Sequence, residues 1–155
     1  MKKLIMLFIF ILAFTTYNRG SGVEEENDKN KLTLENIYYE LLKEGIQEPL
    51  IVLAQIYHET ANLKSKVCLT KNNLLGFNSN KGYRSFVSWQ ECISYAKTWQ
   101  DKRYKGGDYY LFLKKIRYAQ DVNYIKKIKV TLAKINTLEF LTVCDESDDC
   151  QEIIK

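Results

Sequence analysis

Apolar positions along the chain fall into five stretches of helical spacing, interrupted midway by a polar, glycine-marked interval. Thr33 suits a helix cap, and Leu34, Ile37, Tyr38, Leu41 and Leu42 recur at three- and four-residue steps until Gly45 stops them. Pro49 fits a first helical position. It opens the run Leu50-Ile51-Val52-Leu53-Ala54 with Ile56 and Tyr57, which is apolar nearly all round. Such a helix belongs in the middle of a core, and Gln55, His58 and Glu59 are the polar groups it carries inward or to its end. From Ala61 to Ser88 the pattern breaks into polar loop, with a short hairpin expected around Gly82. Ser88 caps a third predicted helix, whose apolar positions are Trp89, Cys92, Ile93, Ala96 and Trp99. Asp108 caps a fourth with Tyr109, Phe112, Leu113 and Ile116, and Asp121 a fifth with Ile125, Ile128, Leu132 and Ile135. The pattern predicts a mainly α domain.

Ahead of these helices, Lys2 and Lys3 precede an unbroken apolar run from Leu4 to Phe14. Its 11 residues suit the core of a signal peptide and fall short of the ~20 needed to span a bilayer. Residues 1–22 are therefore expected to be a signal peptide, and the protein to be exported to the periplasm or cell envelope, or secreted. Glu24 to Lys31 is polar and charged, and residues 23–31 read as a linker. The folded domain is expected over 32–136. A tail over 137–155, with Asp145, Glu146, Asp148 and Asp149, is acidic and its spacing does not fit a calcium loop.

Composition narrows the chemistry. Of 155 residues, 46% are hydrophobic and 27% charged, which places the chain among globular proteins. The formal charge of +4 suggests an anionic partner, but Lys2, Lys3 and Arg19 lie in or beside the leader. Cleavage after Arg19 would leave 20 basic against 19 acidic residues, so any such attraction is weak and local. Lys114, Lys115, Lys126, Lys127 and Lys129 mostly lie opposite the apolar faces, as solvated residues do, and no nucleic-acid partner is expected. A single histidine excludes the two-histidine zinc peptidases. Cys68, Cys92, Cys144 and Cys150 share no metal-ligand spacing. In an oxidising compartment their even count favours disulfides, with Cys68–Cys92 and Cys144–Cys150 preferred and free buried thiols the alternative.

One carboxylate stands out. Glu59 ends the most apolar helix, where burial and the negative end of the helix dipole would both favour its protonated form. That is the property wanted in a general acid working near neutral pH. The alternative is a solvated glutamate at a helix end. His58, its neighbour, points about 100° away round the helix and is expected to pack or face solvent.

Around Glu59, the segment Ala54-Gln55-Ile56-Tyr57-His58-Glu59-Thr60, continued by Asn62 and Ser65, resembles the first signature of the bacterial glucosaminidase domains, glycoside hydrolase family 73. Asn72-Asn73-Leu74-Leu75-Gly76-Phe77 is similar to the family's Asn-Asn-Leu-Phe-Gly segment. Tyr83-Arg84-Ser85-Phe86 and Ser88-Trp89 resemble its Tyr-x-x-Phe and Ser-Trp elements, and Tyr118-Ala119-Gln120-Asp121-Val122-Asn123-Tyr124 its Tyr-Ala-x-Asp-x-x-Tyr motif. The four occur in the family's order between about Leu32 and Leu132. The resemblance implies a lysozyme-like α-rich fold, with a reduced or absent β-lobe because the segment after the first motif is short. It implies cleavage of the β-1,4 bond between N-acetylglucosamine and N-acetylmuramic acid in peptidoglycan glycan strands, by a monomer without metal or cofactor. Glu59 would be the catalytic acid and Tyr118 a cleft residue near the scissile sugar. Phe77, Tyr83, Trp89 and Tyr124 are candidate sugar platforms, Trp89 being equally suited to the core, and Asn73 would shape the cleft floor or form a turn.

Leu75 stands where the family usually has phenylalanine, and His58 where an aliphatic residue is common. The departure that matters most is the second carboxylate that ordinary glycosidases use. No Asp or Glu occurs between Glu59 and Glu91. The substrate's acetamido group could act as internal nucleophile, Glu91, Asp121 or another distant acid could activate water, or the domain could bind glycan without cleaving it. A toxin acting on other bacteria would use the same chemistry as a housekeeping hydrolase.

Overall fold

The computed structural model describes residues 29–136; the leader, most of the linker, the acidic tail and the Cys144–Cys150 pair lie outside the described residues. Among the described residues, six helices and one small hairpin have both ends defined and follow in chain order.

Helix α1 (Leu34–Lys43) starts at Thr33, whose Oγ1 accepts from the Asn36 amide at 3.1 Å. It stops as the glycine predicts. Gly45 adopts φ +67°, its N–H reaches the Leu42 carbonyl, and the N–H of Ile46 reaches that of Leu41. This pair of bonds uses up carbonyls the helix end would otherwise leave open, and buries Ile46. Helix α2 (Pro49–Glu59) buries every residue from Ile51 to Ile56. It packs against α1 on one side and α6 on another, which explains why it has no polar face.

Between Thr60 and Ser88 the chain is less regular. A short helix, α3 (Lys66–Lys71), occupies part of the segment expected to be loop. Its cap, Ser65, accepts from the Cys68 amide at 3.2 Å, a signal hidden by the brevity of the element. The hairpin pairs β1 (Asn78–Ser79) antiparallel with β2 (Gly82–Tyr83) in the register Asn78–Tyr83 and Ser79–Gly82. Two-residue strands are all that represents a β-lobe among the described residues.

Helix α4 (Trp89–Arg103) begins at Ser88 with a reciprocal cap: Ser88 Oγ accepts from the Glu91 amide at 3.2 Å, and Glu91 Oε2 from that of Val87 at 2.5 Å. Gln100 fastens it to the α1–α2 connection, accepting from the Gln47 amide at 2.7 Å and donating to its carbonyl at 2.9 Å. Helix α5 (Tyr109–Lys115) is capped by Asp108. Helix α6 (Tyr124–Ile135) starts later than predicted, after Asn123. Asp121 instead forms a turn ahead of it, accepting from the Asn123 amide at 2.8 Å and from Lys127 at 2.6 Å. The result is a mainly α, lysozyme-like domain with α2 at its centre.

Candidate active site

Glu59 is the last residue of α2, and the chain reverses abruptly after it. Ala61, Asn62 and Leu63 have φ of 50°, 58° and 61°, a left-handed turn built without glycine. Each such residue costs roughly 1–2 kcal/mol. Thr60 holds the turn: its carbonyl accepts from Lys64 and Ser65 N–H at 2.9 and 2.8 Å, and its Oγ1 accepts from Leu63 N–H at 2.9 Å while donating to the Ile56 carbonyl. The first signature therefore encodes an acid, a strained reversal and, at Ser65, the cap of the next helix. The reversal leaves Glu59 exposed at the helix tip. Burial among apolar residues, expected from the helix it ends, is not what the structure has; the apolar residues lie one turn deeper.

Glu59 is reached from α6. Tyr124 Oη donates to Glu59 Oε1 at 2.9 Å, and Gln55 Nε2, one helical turn before Glu59, donates to Tyr124 Oη at 3.1 Å. Tyr124 is only 5% exposed and Gln55 1%, so this chain of bonds runs from the core to the surface carboxylate. Burial, and then the charge of Glu59, push the Tyr124 hydroxyl far above its ordinary range, so it remains a donor at any working pH. The other carboxylate oxygen faces the loop flank: a Cβ placed on Gly76 would lie 4.0 Å from Glu59 Oε2. Gly76 has φ +67°, a conformation glycine adopts without strain.

Tyr118 lies beside Tyr124, close enough to Glu59 to feel its charge. Its hydroxyl donates to the Leu75 carbonyl at 2.9 Å, and its ring lies 5.6 Å from that of Tyr124 and 6.1 Å from Trp99. Burial pushes its hydroxyl well up as well. It ties the loop flank to the helices and backs Tyr124. His58 meets the Tyr124 ring edge-on at 5.9 Å, in keeping with a packing role.

The loop flank is stitched by two asparagines. Asn73, 2% exposed, donates both amide hydrogens, to the carbonyls of Phe77 at 2.8 Å and Arg84 at 2.9 Å, and accepts from the Phe77 N–H at 2.9 Å. With both hydrogens used internally, it shapes the loop and has none left to donate to a sugar. Asn72, at φ 49°, donates to the carbonyls of Phe86 and Val87. The Asn-Asn-Leu-Leu-Gly-Phe segment is thereby fastened to Tyr83-Arg84-Ser85-Phe86, which explains why both sequences are needed in one fold.

Among the expected platforms, Trp89 is buried in the core and Tyr124 is committed to Glu59. Phe77 is half-buried, in contact with Tyr95 at 4.9 Å and Trp99 at 6.1 Å, and Tyr83 is 50% exposed on the hairpin. Trp99, half-buried between Phe77 and Tyr118 with Arg103 over its ring, joins this aromatic wall; its helical spacing had marked it only as core. A cavity of only about 10 Å³ lies behind the wall, bounded by Gln55, Leu75, Phe77, Trp99, Tyr109 and Tyr118, and has room for at most one water.

Cys68 and Cys92 are separate buried thiols, contrary to the preferred pairing. Cys92 Sγ accepts from the Leu74 amide at 3.3 Å, and burial pushes its thiol up to about 12. Among the described residues no group of three or more His, Cys, Asp and Glu side chains could hold a metal ion.

A family model described as "Glucosaminidase: Mannosyl-glycoprotein endo-beta-N-acetylglucosaminidase" matches residues 35–137. No curated protein and no solved structure matches the chain.

Proposed function

Because the chain belongs to the glucosaminidase family, a family of glycoside hydrolases, we propose that it cleaves peptidoglycan between N-acetylglucosamine and N-acetylmuramic acid, with Glu59 as general acid and then general base. The observation that carries this reading is the placement of Glu59: exposed at a helix tip, with one carboxylate oxygen held by a buried tyrosine and the other beside Gly76. A carboxyl so placed can be approached by a glycosidic oxygen while its orientation stays fixed.

The nucleophile in this mechanism is the substrate's own acetamido oxygen. Glu59 gives its proton to the leaving oxygen as the acetamido oxygen bonds to the anomeric carbon and the glycosidic bond breaks. Glu59, now a carboxylate, takes a proton from the water that opens the resulting oxazolinium ring, and the cycle closes. What supports substrate assistance is the local employment of the two acids that could replace it. The Glu91 carboxylate caps α4 through the Val87 N–H. Asp121 is held by Lys127 and the Asn123 N–H, which lower its proton affinity and fix it ahead of α6. Phe77, Trp99 and Tyr83 serve as sugar-contacting aromatics, and Tyr118 and Tyr124 keep the catalytic end of α2 in place. Export by the Leu4–Phe14 leader belongs to the same reading, since the substrate lies outside the cytoplasm.

The test is digestion of purified peptidoglycan by the wild type and Glu59→Gln, followed by mass spectrometry of the new reducing ends. Ends at N-acetylglucosamine from the wild type, with turnover reduced by about 10²- to 10⁴-fold in Glu59→Gln and wall binding retained, are expected. Ends at N-acetylmuramic acid would make the protein a muramidase. No new ends from either protein would leave a peptidoglycan-binding module.

A further inference from the structure

We propose that Gln55 is a positioning residue that determines which oxygen of Glu59 carries the transferable proton, an inference that rests on Glu59 acting as the acid. The argument is one of donors and acceptors. The nitrogen of a glutamine amide only donates, and a tyrosine hydroxyl has one hydrogen to give. Gln55 Nε2 fills the acceptor side of Tyr124 Oη at 3.1 Å, so the hydroxyl hydrogen is directed to Glu59 Oε1 at 2.9 Å. An oxygen that already receives a hydrogen bond is the less favourable place for a proton. The acidic hydrogen therefore sits on Oε2, the oxygen beside Gly76, and is delivered from there to the glycosidic oxygen. Once it has left, the Tyr124 hydrogen bond stabilises the carboxylate that remains.

Among the described residues, Gln55 is the side chain that donates to the Tyr124 hydroxyl. His58 meets the ring edge-on and Tyr118 lies against it, and neither donates to its hydroxyl. Gln55 is the one polar side chain in the buried run Ile51–Ile56. An amide there costs stability unless its hydrogen bonds are met, whereas a methionine of similar size would pack without that requirement. The donor it supplies to Tyr124 accounts for its presence.

The full-length chain gives the test. Steady-state hydrolysis of peptidoglycan is compared for wild type, Gln55→Met, Tyr124→Phe and the double variant. Gln55→Met is expected to lower kcat about tenfold with KM within about twofold, because the donor acts on the proton transfer and not on glycan contact. In the double variant Gln55→Met is expected to add nothing to the loss caused by Tyr124→Phe, since it acts only through that hydroxyl. A purely structural role would make the two losses multiply, and that result, or a kcat unchanged in Gln55→Met, overturns the proposal. Should Gln55→Met not fold, Gln55→Glu replaces it. Its kcat should recover as the introduced carboxyl gains a proton and can donate again, and a pH profile identical to wild type would overturn the assignment. If the wild type releases no new ends, the hydrolase reading fails on its own. Crystal structures of wild type and Gln55→Met then decide: displacement of Tyr124 Oη from Glu59 Oε1 supports the positioning role, and an unmoved hydroxyl overturns it.

Discussion

The two flanks of Glu59 are built by different means. On the helix flank, α2 and α6 pack along their lengths, and the polar groups Gln55 and Tyr124 are threaded through that packing to reach the carboxylate. On the loop flank, residues 72–87 have little regular structure, and Asn72 and Asn73 supply with side chains the hydrogen bonds that a sheet would supply with backbone. The first flank orients a chemical group by burying its supports. The second holds a surface in shape with few contacts, so its stability depends on single residues. Damage to the helix flank should therefore appear in kcat, and damage to the loop flank in stability and KM.

Tyr124→Phe is the strongest way to break the helix flank short of removing Glu59. It deletes the hydrogen bond to Oε1 and strands the Gln55 amide, and kcat should fall about 10- to 100-fold with KM little changed. Steady-state kinetics on soluble glycan fragments checks it. A rise in KM without loss of kcat would mean that the tyrosine contacts sugar after all.

Asn73→Ala should act in the opposite sense. Three hydrogen bonds disappear and leave the Phe77 N–H and the Arg84 carbonyl without their partner, while the Phe77 carbonyl keeps the Arg84 N–H, a loss of about 3 kcal/mol read from denaturant unfolding. The protein that remains folded should keep most of its kcat, since Asn73 touches neither Glu59 nor Tyr124 in the hydrogen-bond network.

Gly76→Ala joins the two flanks. A side chain at φ +67° is strained by about 1 kcal/mol, and its Cβ would stand in contact with Glu59 Oε2. A modest drop in melting temperature with a larger drop in kcat is expected; equal and small effects would show that Oε2 is not the working oxygen.

The smallest effect concerns the core beneath the loop. Burial raises the Cys92 thiol to about 12 from an ordinary value of 9.0, so the folded state binds this proton more tightly than the unfolded chain. The stability it contributes is complete below pH 9 and declines as pH rises from about 9 towards 12. Urea midpoints should fall less steeply over that range in Cys92→Val than in wild type. Alkylation followed by peptide mapping should modify Cys68 and Cys92 only after unfolding, whereas a disulfide between them would block both until reduction.

Much of the helix flank was legible in the sequence because helices announce themselves locally. Thr33, Pro49, Ser88 and Asp108 mark starts, Gly45 marks a stop, and an all-apolar run can only be central. Elsewhere the same local rules misled. Asp121 has the chemistry of a helix cap but makes a turn, and the cap is left to Asn123, which uses no side-chain bond. Helix α3 was too short to show a period. Three consecutive left-handed residues after Thr60 carry no glycine to signal them.

The sequence by itself determined the helical class, the central place of α2, the family and the candidacy of Glu59, because periodicity, caps and ordered motifs are properties of neighbouring residues. Which tyrosine serves Glu59 was decided by tertiary structure. Tyr118 and Tyr124 belong to one motif, and only the packing of α6 on α2 brings the hydroxyl of Tyr124 to the carboxylate and sends that of Tyr118 to the Leu75 carbonyl. Gln55 acquires its meaning in the same way: a polar residue in an apolar helix is unexplained until the partner helix places a hydroxyl 3.1 Å away. Hydrogen bonds act over about 3 Å in space, and separation along the chain, 65 residues for Tyr124 and Glu59, gives no indication of them.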